Sequence, residues 1–333
     1  MALFLNEDEV SRLLSMREAL DAVRGAFRAL AAGRAANSPR ARVRAGGAML
    51  NVMPAAIEGG GEGTGGAGDG PAGGYLGLKS YSIARSGARF LLLLYGTDGT
   101  LRAVMEADRL GQIRTGAASG VATEFMARPE SRVVAVMGSG WQARSQLAAV
   151  AAVRPINIAR VFSRGEEGRR AFARDMERSL GIEVIPSASA EEAVRGADVV
   201  ITITTSRAPV VEGRWLEEGV HVNAAGSNYA HRRELDGAAV ARAAFIAVDS
   251  IADARIESGD LLLAIEEGRL SWDRVHEFAD VVSGACRPRT APADITLFKS
   301  NGIALEDVAA AAHVYEKALR EGVGRELAFG DPR

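Results

Sequence analysis

From Arg132 onward the chain alternates short β-branched runs with helix-like stretches. This alternation constrains the fold more than any other feature. Strands alternating with helices are the signature of a parallel sheet joined by crossovers. "RVVAVMG", "NIARVFS", "IEVIP", "DVVITIT", "VHVNAAG" and "AFIAVD" are the candidate strands, and together they predict a doubly wound Rossmann sheet. The first junction reads "VAVMGSGWQARSQL", in which Gly138, Gly140 and Ala143 form G-x-G-x-x-A. In such a motif the first glycine permits a tight turn and the second lets backbone approach a pyrophosphate. The small third residue lets helix and strand pack closely. The helix N-terminus adds free N–H groups and a positive dipole. The motif alone is weak, but here it follows a strand, opens a helix and starts a βαβ pattern. The expectation is a dinucleotide site. The second strand ends in Ser163-Arg164, where an NAD site usually carries an acid for the ribose. Serine and arginine suit a 2′-phosphate, which favours NADPH/NADP. Glu166 and Glu167 follow closely and keep NADH/NAD open.

The first hundred residues follow a different pattern. "SMREALDAVRGAFRALAAG" places Leu20, Val23, Phe27 and Leu30 on one helical face. "AMLNVMPA", "YLGLKSYSIA", "ARFLLLLYG" and "LRAVMEA" read as strands, with "TDGT" as a hairpin turn between the last two. Residues 59–74, "GGGEGTGGAGDGPAGG", carry too little apolar surface to offset their ordering entropy and are expected to form a mobile loop. "RLGQIRTGAASGVATEFMA" is a helix rich in small residues. The last amphipathic helix, in "IALEDVAAAAHVYEKALREG", is placed to pack back on this first part.

Composition narrows the function classes. The formal net charge of −2 gives no electrostatic case for nucleic acid or an anionic membrane. The longest apolar runs are strand-sized rather than membrane-sized. Cys286 is the single cysteine, and the four histidines are scattered without metal-ligand spacing. "MALFLNEDEV" lacks the pattern of a signal peptide. The expectation is a cytoplasmic protein without a metal.

Arg40, Lys79 and Arg114 each sit in an apolar or small-residue setting, in "NSPRAR", "LGLKSYS" and "GQIRTGAAS". A lone cation is usually a solvated surface group. Converging cations would instead bind a carboxylate, and a desolvated lysine could also move a proton. The residue pattern leaves both readings open.

At this point the chain resembles the ornithine cyclodeaminase/mu-crystallin family. The matching pieces, in order, are "SPRAR…LNVMPA", "GLKSYS", "QIRTGAASGVA", "VAVMGSGWQARSQL", "HVNAAGSN…REL", "ESGD" and "FKSNGIALED". The resemblance covers most of the chain and is far more specific than the glycine motif. It implies an α/β protein with a Rossmann sheet plus an α+β dimerisation and substrate domain. The first domain would comprise residues 1–115 with a C-terminal helix at about 304–325, and the Rossmann domain residues 116–303. It implies a homodimer and carboxylate binding by Arg40, Lys79 and Arg114. Thr115, Ser139, Gln142, Thr204, Thr205 and Ser227 complete the candidate cofactor contacts.

The departures from the family pattern bear on the reaction. Where ornithine cyclodeaminases carry a proton-exchanging Asp, this chain has Asn228, and an amide cannot act as a carboxylate base. The family's lysine a few residues on falls on Arg232, and the acid that meets the ornithine side chain falls on Asn51. "ESGD" and "FKSNG" look more like the ketimine reductase branch. The leading expectation is therefore an NAD(P)H-dependent reductase of a cyclic or open 2-imino acid, or a related amino-acid dehydrogenase. In it Lys79 is the candidate proton donor and Asn228 orients the nitrogen. The alternatives are an ornithine cyclodeaminase forming proline and ammonia, and an NADPH-binding protein without turnover.

Overall fold

The computed structural model describes residues 2–59 and 73–329. Residues 60–72, most of the expected glycine-rich loop, lie outside them. The chain divides into two compact units. One runs up to Arg114 and resumes at Ile303, and the other is Thr115–Gly302.

The first unit opens with β1 (Ala2–Leu5), α1 (Glu7–Leu13) and α2 (Met16–Ala31). Ser15 and Glu18 cap α2 reciprocally, which satisfies two of the otherwise unpaired N–H groups at its start. Then come β2 (Ala35–Asn37), β3 (Ala41–Ala45), β4 (Ala48–Ile57), β5 (Tyr75–Ala84), β6 (Gly87–Gly96) and β7 (Leu101–Glu106). The strands β4, β5 and β6 pair antiparallel, with Met53 opposite Lys79 and Lys79 opposite Leu92. Side chains alternate across the sheet. One face carries Asn51, Met53, Lys79 and Leu92, all buried; Leu50, Leu76 and Leu91 stand exposed on the other.

Helix α3 (Asp108–Met126) leads into the second unit. That unit contains β8 (Val133–Met137), α4 (Trp141–Val153), β9 (Ile158–Phe162), α5 (Glu166–Leu180), β10 (Glu183–Pro186), α6 (Ala190–Val194), β11 (Val199–Thr202) and β12 (His221–Ala224). It continues with α7 (Gly237–Arg242), β13 (Phe245–Val248), α8 (Ile251–Glu257), α9 (Gly259–Glu266), β14 (Val275–Glu277), α10 (Phe278–Ser283) and β15 (Thr296–Lys299). All pairs in this sheet are parallel, in the order β10-β9-β8-β11-β12-β15-β13-β14. The doubly wound expectation holds, and all six candidate strands are present. The structure adds β14 and β15, and β15 inserts between β12 and β13. The small residues of α3 have a packing cause, since a Cβ on Gly116 would lie 2.4 Å from the Ser145 carbonyl oxygen on α4.

The chain re-enters the first unit with α11 (Ala304–Glu321) and ends its described course in β16 (Arg325–Leu327). The helix stops at Gly322 in the left-handed conformation, a few residues short of the expected end, and the remainder pairs with β1. α11 packs on β4, β5 and α2. The first sheet runs β16-β1-β7-β6-β5-β4-β2, with β3 on β4. No helix among the described residues is long and apolar enough to cross a membrane.

Candidate active site

In the first unit, the strand register puts Lys79 on the face that α11 covers. Gly77, two residues earlier on the same face, lets the helix approach, because a Cβ there would meet Val308 Cγ2 at 2.4 Å. α11 thereby brings two acids of its first turn, Glu306 and Asp307, into the interior, where both are fully buried. Lys79 Nζ donates to Asp307 Oδ1 at 2.7 Å. Arg114 Nε donates to the same oxygen at 2.9 Å, and its Nη1 donates to Glu306 Oε2 at 2.7 Å. Gly111 of α3 leaves room for the ammonium, since a Cβ there would lie 2.8 Å from Lys79 Nζ. The three cations named from sequence are thus buried, at 8% exposure for Arg40, 3% for Lys79 and 6% for Arg114.

Burial lowers the Lys79 ammonium to about 8, and the neighbouring charges of Arg114 and Arg40 push the same way against the pull of Asp307. Arg114 moves the other way. Burial opposes its charge, but Asp307 and Glu306 together hold it more firmly protonated than usual. Arg40 donates through Nε to Met53 Sδ at 3.2 Å, a weak acceptor. Asn51 stands on the same strand face as Met53. Its Oδ1 accepts from Arg42 Nε at 3.2 Å and its Nδ2 donates to the Tyr81 carbonyl at 3.4 Å. Arg42, Glu306 and Asp307 were not singled out from sequence. The only signal for the two acids was their place in "ALED", where acids in a first helical turn ordinarily read as a solvated N-terminus.

In the second unit, the turn between β8 and α4 depends on its first glycine and leaves the start of α4 open. Gly138 has φ +117, and a Cβ there would lie 2.4 Å from the Ile203 carbonyl oxygen. Gly140 is the N-cap of α4, with no side chain to cap it. A Cβ at Gly140 meets nothing within 4 Å, so the space in front of the helix is open. A cleft of about 430 Å³ extends from this turn, lined by Gly138, Ser139, Ser163, Arg164, Thr204 and Thr205 among others. Ser139 Oγ and Ser163 Oγ lie 2.8 Å apart and link the turn to the end of β9. No acid stands among the cleft-lining residues. The residues present therefore fit a dinucleotide.

Other candidates sit outside that lining. Ala143 is fully buried under the sheet. The Gln142 carbonyl accepts from Ser145 Oγ, and the Thr115 carbonyl accepts from Gln146 Nε2. Ser227 and half-buried Asn228 occupy the loop after β12. Ser227 Oγ donates to the Arg232 carbonyl at 3.2 Å, and the Arg232 guanidinium stacks 4.6 Å from the Tyr229 ring centroid.

Residues 1–322 match the sequence pattern of the ornithine cyclodeaminase/mu-crystallin family. An alanine dehydrogenase of Archaeoglobus fulgidus is 35% identical over 337 residues, covering 98% of each chain. The structure of Thermococcus litoralis Delta(1)-pyrroline-2-carboxylate reductase in complex with NADH and L-proline is 34% identical. It superposes with a TM-score of 0.89 over 98% of this chain and 100% of that one. An archaeal alanine dehydrogenase dimer with bound NAD is 33% identical, with a TM-score of 0.89 over 99% of each.

Proposed function

The chain belongs to the ornithine cyclodeaminase/mu-crystallin family, and on that premise we propose that it is an NAD(P)H-dependent reductase of a small 2-imino acid, working also as the corresponding amino-acid dehydrogenase. One observation carries this reading. The first unit buries three cations, Arg40, Lys79 and Arg114, and holds Lys79 on Asp307 and Arg114 on both Glu306 and Asp307. Three cations gathered in a low-dielectric setting suit a substrate carboxylate. Lys79, with its ammonium lowered to about 8, suits transfer of a proton to the substrate nitrogen. A bound nicotinamide cofactor would supply the hydride for C2. The chain's own work is then to hold the carboxylate, provide the proton and grip the nucleotide.

Asn228 supports reduction over cyclodeamination. Reduction of a C=N bond adds hydride and a proton and activates no water, so an amide suffices where a cyclodeaminase needs a carboxylate. Ser163 and Arg164 in the cleft support NADPH over NADH. The related T. litoralis reductase with NADH and L-proline points to 1-pyrroline-2-carboxylate or a near relative as substrate. We further propose a homodimer, as in the archaeal relative, formed through the outer face of the first sheet. Val43, Leu50, Leu76 and Leu91 share that face and are all exposed.

The test is Arg40→Ala. Losing a charge-assisted contact to the carboxylate removes roughly 1.5–3 kcal/mol, so the KM for 1-pyrroline-2-carboxylate rises about tenfold to a hundredfold. NADPH binding stays unchanged. An unaltered KM for the imino acid overturns the carboxylate assignment.

A further inference from the structure

We propose that Glu234 is a positioning residue of the nucleotide site, a buried carboxylate that ties the loop after β11 to the loop after β12. The proposal rests on reading the cleft beside Gly138 as that site.

Glu234 is fully buried. Its Oε1 accepts from Thr204 N at 2.6 Å and Thr204 Oγ1 at 2.7 Å. Its Oε2 accepts from Thr202 Oγ1 at 2.9 Å and Gly226 N at 2.8 Å. Four donors converge on one side chain, and a carboxylate has the lone pairs to accept from all of them. Thr204 lines the cleft, and Gly226 directly precedes Ser227 and Asn228. Residue 226 must be glycine for this contact, because a Cβ there would lie 2.4 Å from Glu234 Oε1.

Two further charges hold the arrangement. Asp260 Oδ1 accepts from the backbone N–H groups of Glu234 and Leu235, at 2.7 and 3.0 Å. Lys299 Nζ pairs with Asp260 Oδ2 at 3.2 Å and donates to the Ser227 carbonyl at 2.6 Å. Hence "REL", "ESGD" and "FKSNG", three separate stretches of sequence, meet in one network around the loop that bears Asn228. Burial first, and Asp260 next, leave the Glu234 carboxyl above the usual carboxylate range, against the opposing pull of Lys299 and the Thr204 donors. Apolar residues often fill a core at no greater cost than paired charges, so stability alone gives little reason for this group. The donors it gathers sit at the carboxyl ends of parallel strands, the edge at which open sheets of this kind bind ligands.

Glu234→Gln preserves shape but turns one acceptor oxygen into an NH₂ that faces two donors. The measurements are the Kd of NADPH from its own fluorescence, the KM values for NADPH and 1-pyrroline-2-carboxylate, kcat, and Tm. The expected result is a folded variant whose Kd and KM for NADPH rise about tenfold or more, with the imino-acid KM within about twofold. Thr202→Val removes one donor to the same carboxylate without touching the cleft, and raises the same constants by less. A variant with unchanged NADPH constants and only a lower kcat has merely lost folded enzyme, and that overturns the proposal. If Glu234→Gln does not fold, unchanged NADPH binding in Thr202→Val overturns it equally. Wild-type protein that binds neither NADPH nor NADH overturns the reading of the cleft together with the role of Glu234. Wild-type binding matched by variant binding overturns the role of Glu234 alone.

Discussion

At the scale of single residues, Lys79 shows what burial does to a charge, and the role of proton donor is proposed for it. Its ammonium loses solvation, sits beside Arg114 and Arg40, and keeps Asp307 as partner, so it titrates near 8 instead of near 10.5. A proton donor must be protonated to work. For a group lowered in this way the active form is present below about 8 and is lost as pH rises through it. The expected kcat/KM for imine reduction is therefore level below pH 8 and declines above it, whereas Lys79→Met is slow at every pH and lacks that decline. A wild-type profile that stays level to pH 10 removes Lys79 from the proton step. The sequence showed this lysine as an interruption in a strand-like run, but it could not show what surrounds it. Glu306 and Asp307 read as an ordinary acidic helix start. Only the packing of α11 on β4 and β5 turns them inward.

At the scale of elements, the alternation of strands and helices was legible because β8, β11 and β13 of the second sheet are almost wholly apolar runs. The exceptions explain themselves. β15 has four residues, and Lys299 ends its apolar run. That lysine is tolerated in a buried strand because Asp260 neutralises it. β1 and β14 have four and three residues, too short for a periodic signal. In the first unit the glycine of "LGLKS" gave no hint of its purpose, which is the close seating of α11. Gly77→Ala is expected to destabilise the protein by about 1–3 kcal/mol through overpacking against Val308. Combined with Val308→Ala, the loss should be smaller than the sum of the two single losses, as measured by urea unfolding. Strict additivity would mean that the two positions do not press on each other.

At the scale of the whole molecule, the outer face of the first sheet exposes large apolar side chains among Ser80, Ser82 and Arg89. Val43, Leu50, Leu76 and Leu91 lie on it. Mass measurement in solution is expected to give a dimer, and Leu76→Asp with Leu91→Asp to give a monomer. A wild-type monomer contradicts this use of the face.

The proposed reaction is reduction of a 2-imino acid with NAD(P)H. The most direct measurement mixes wild-type protein with NADPH and 1-pyrroline-2-carboxylate and follows the nicotinamide absorbance. In parallel, ornithine and NAD⁺ are supplied and ammonia is measured. The expected result is stoichiometric loss of NADPH in the first mixture, faster than with NADH, and no comparable ammonia release in the second. Proline and ammonia forming from ornithine at a comparable rate, with no net change in cofactor, would contradict it. That result would mean that Asn228 does not bar cyclodeamination.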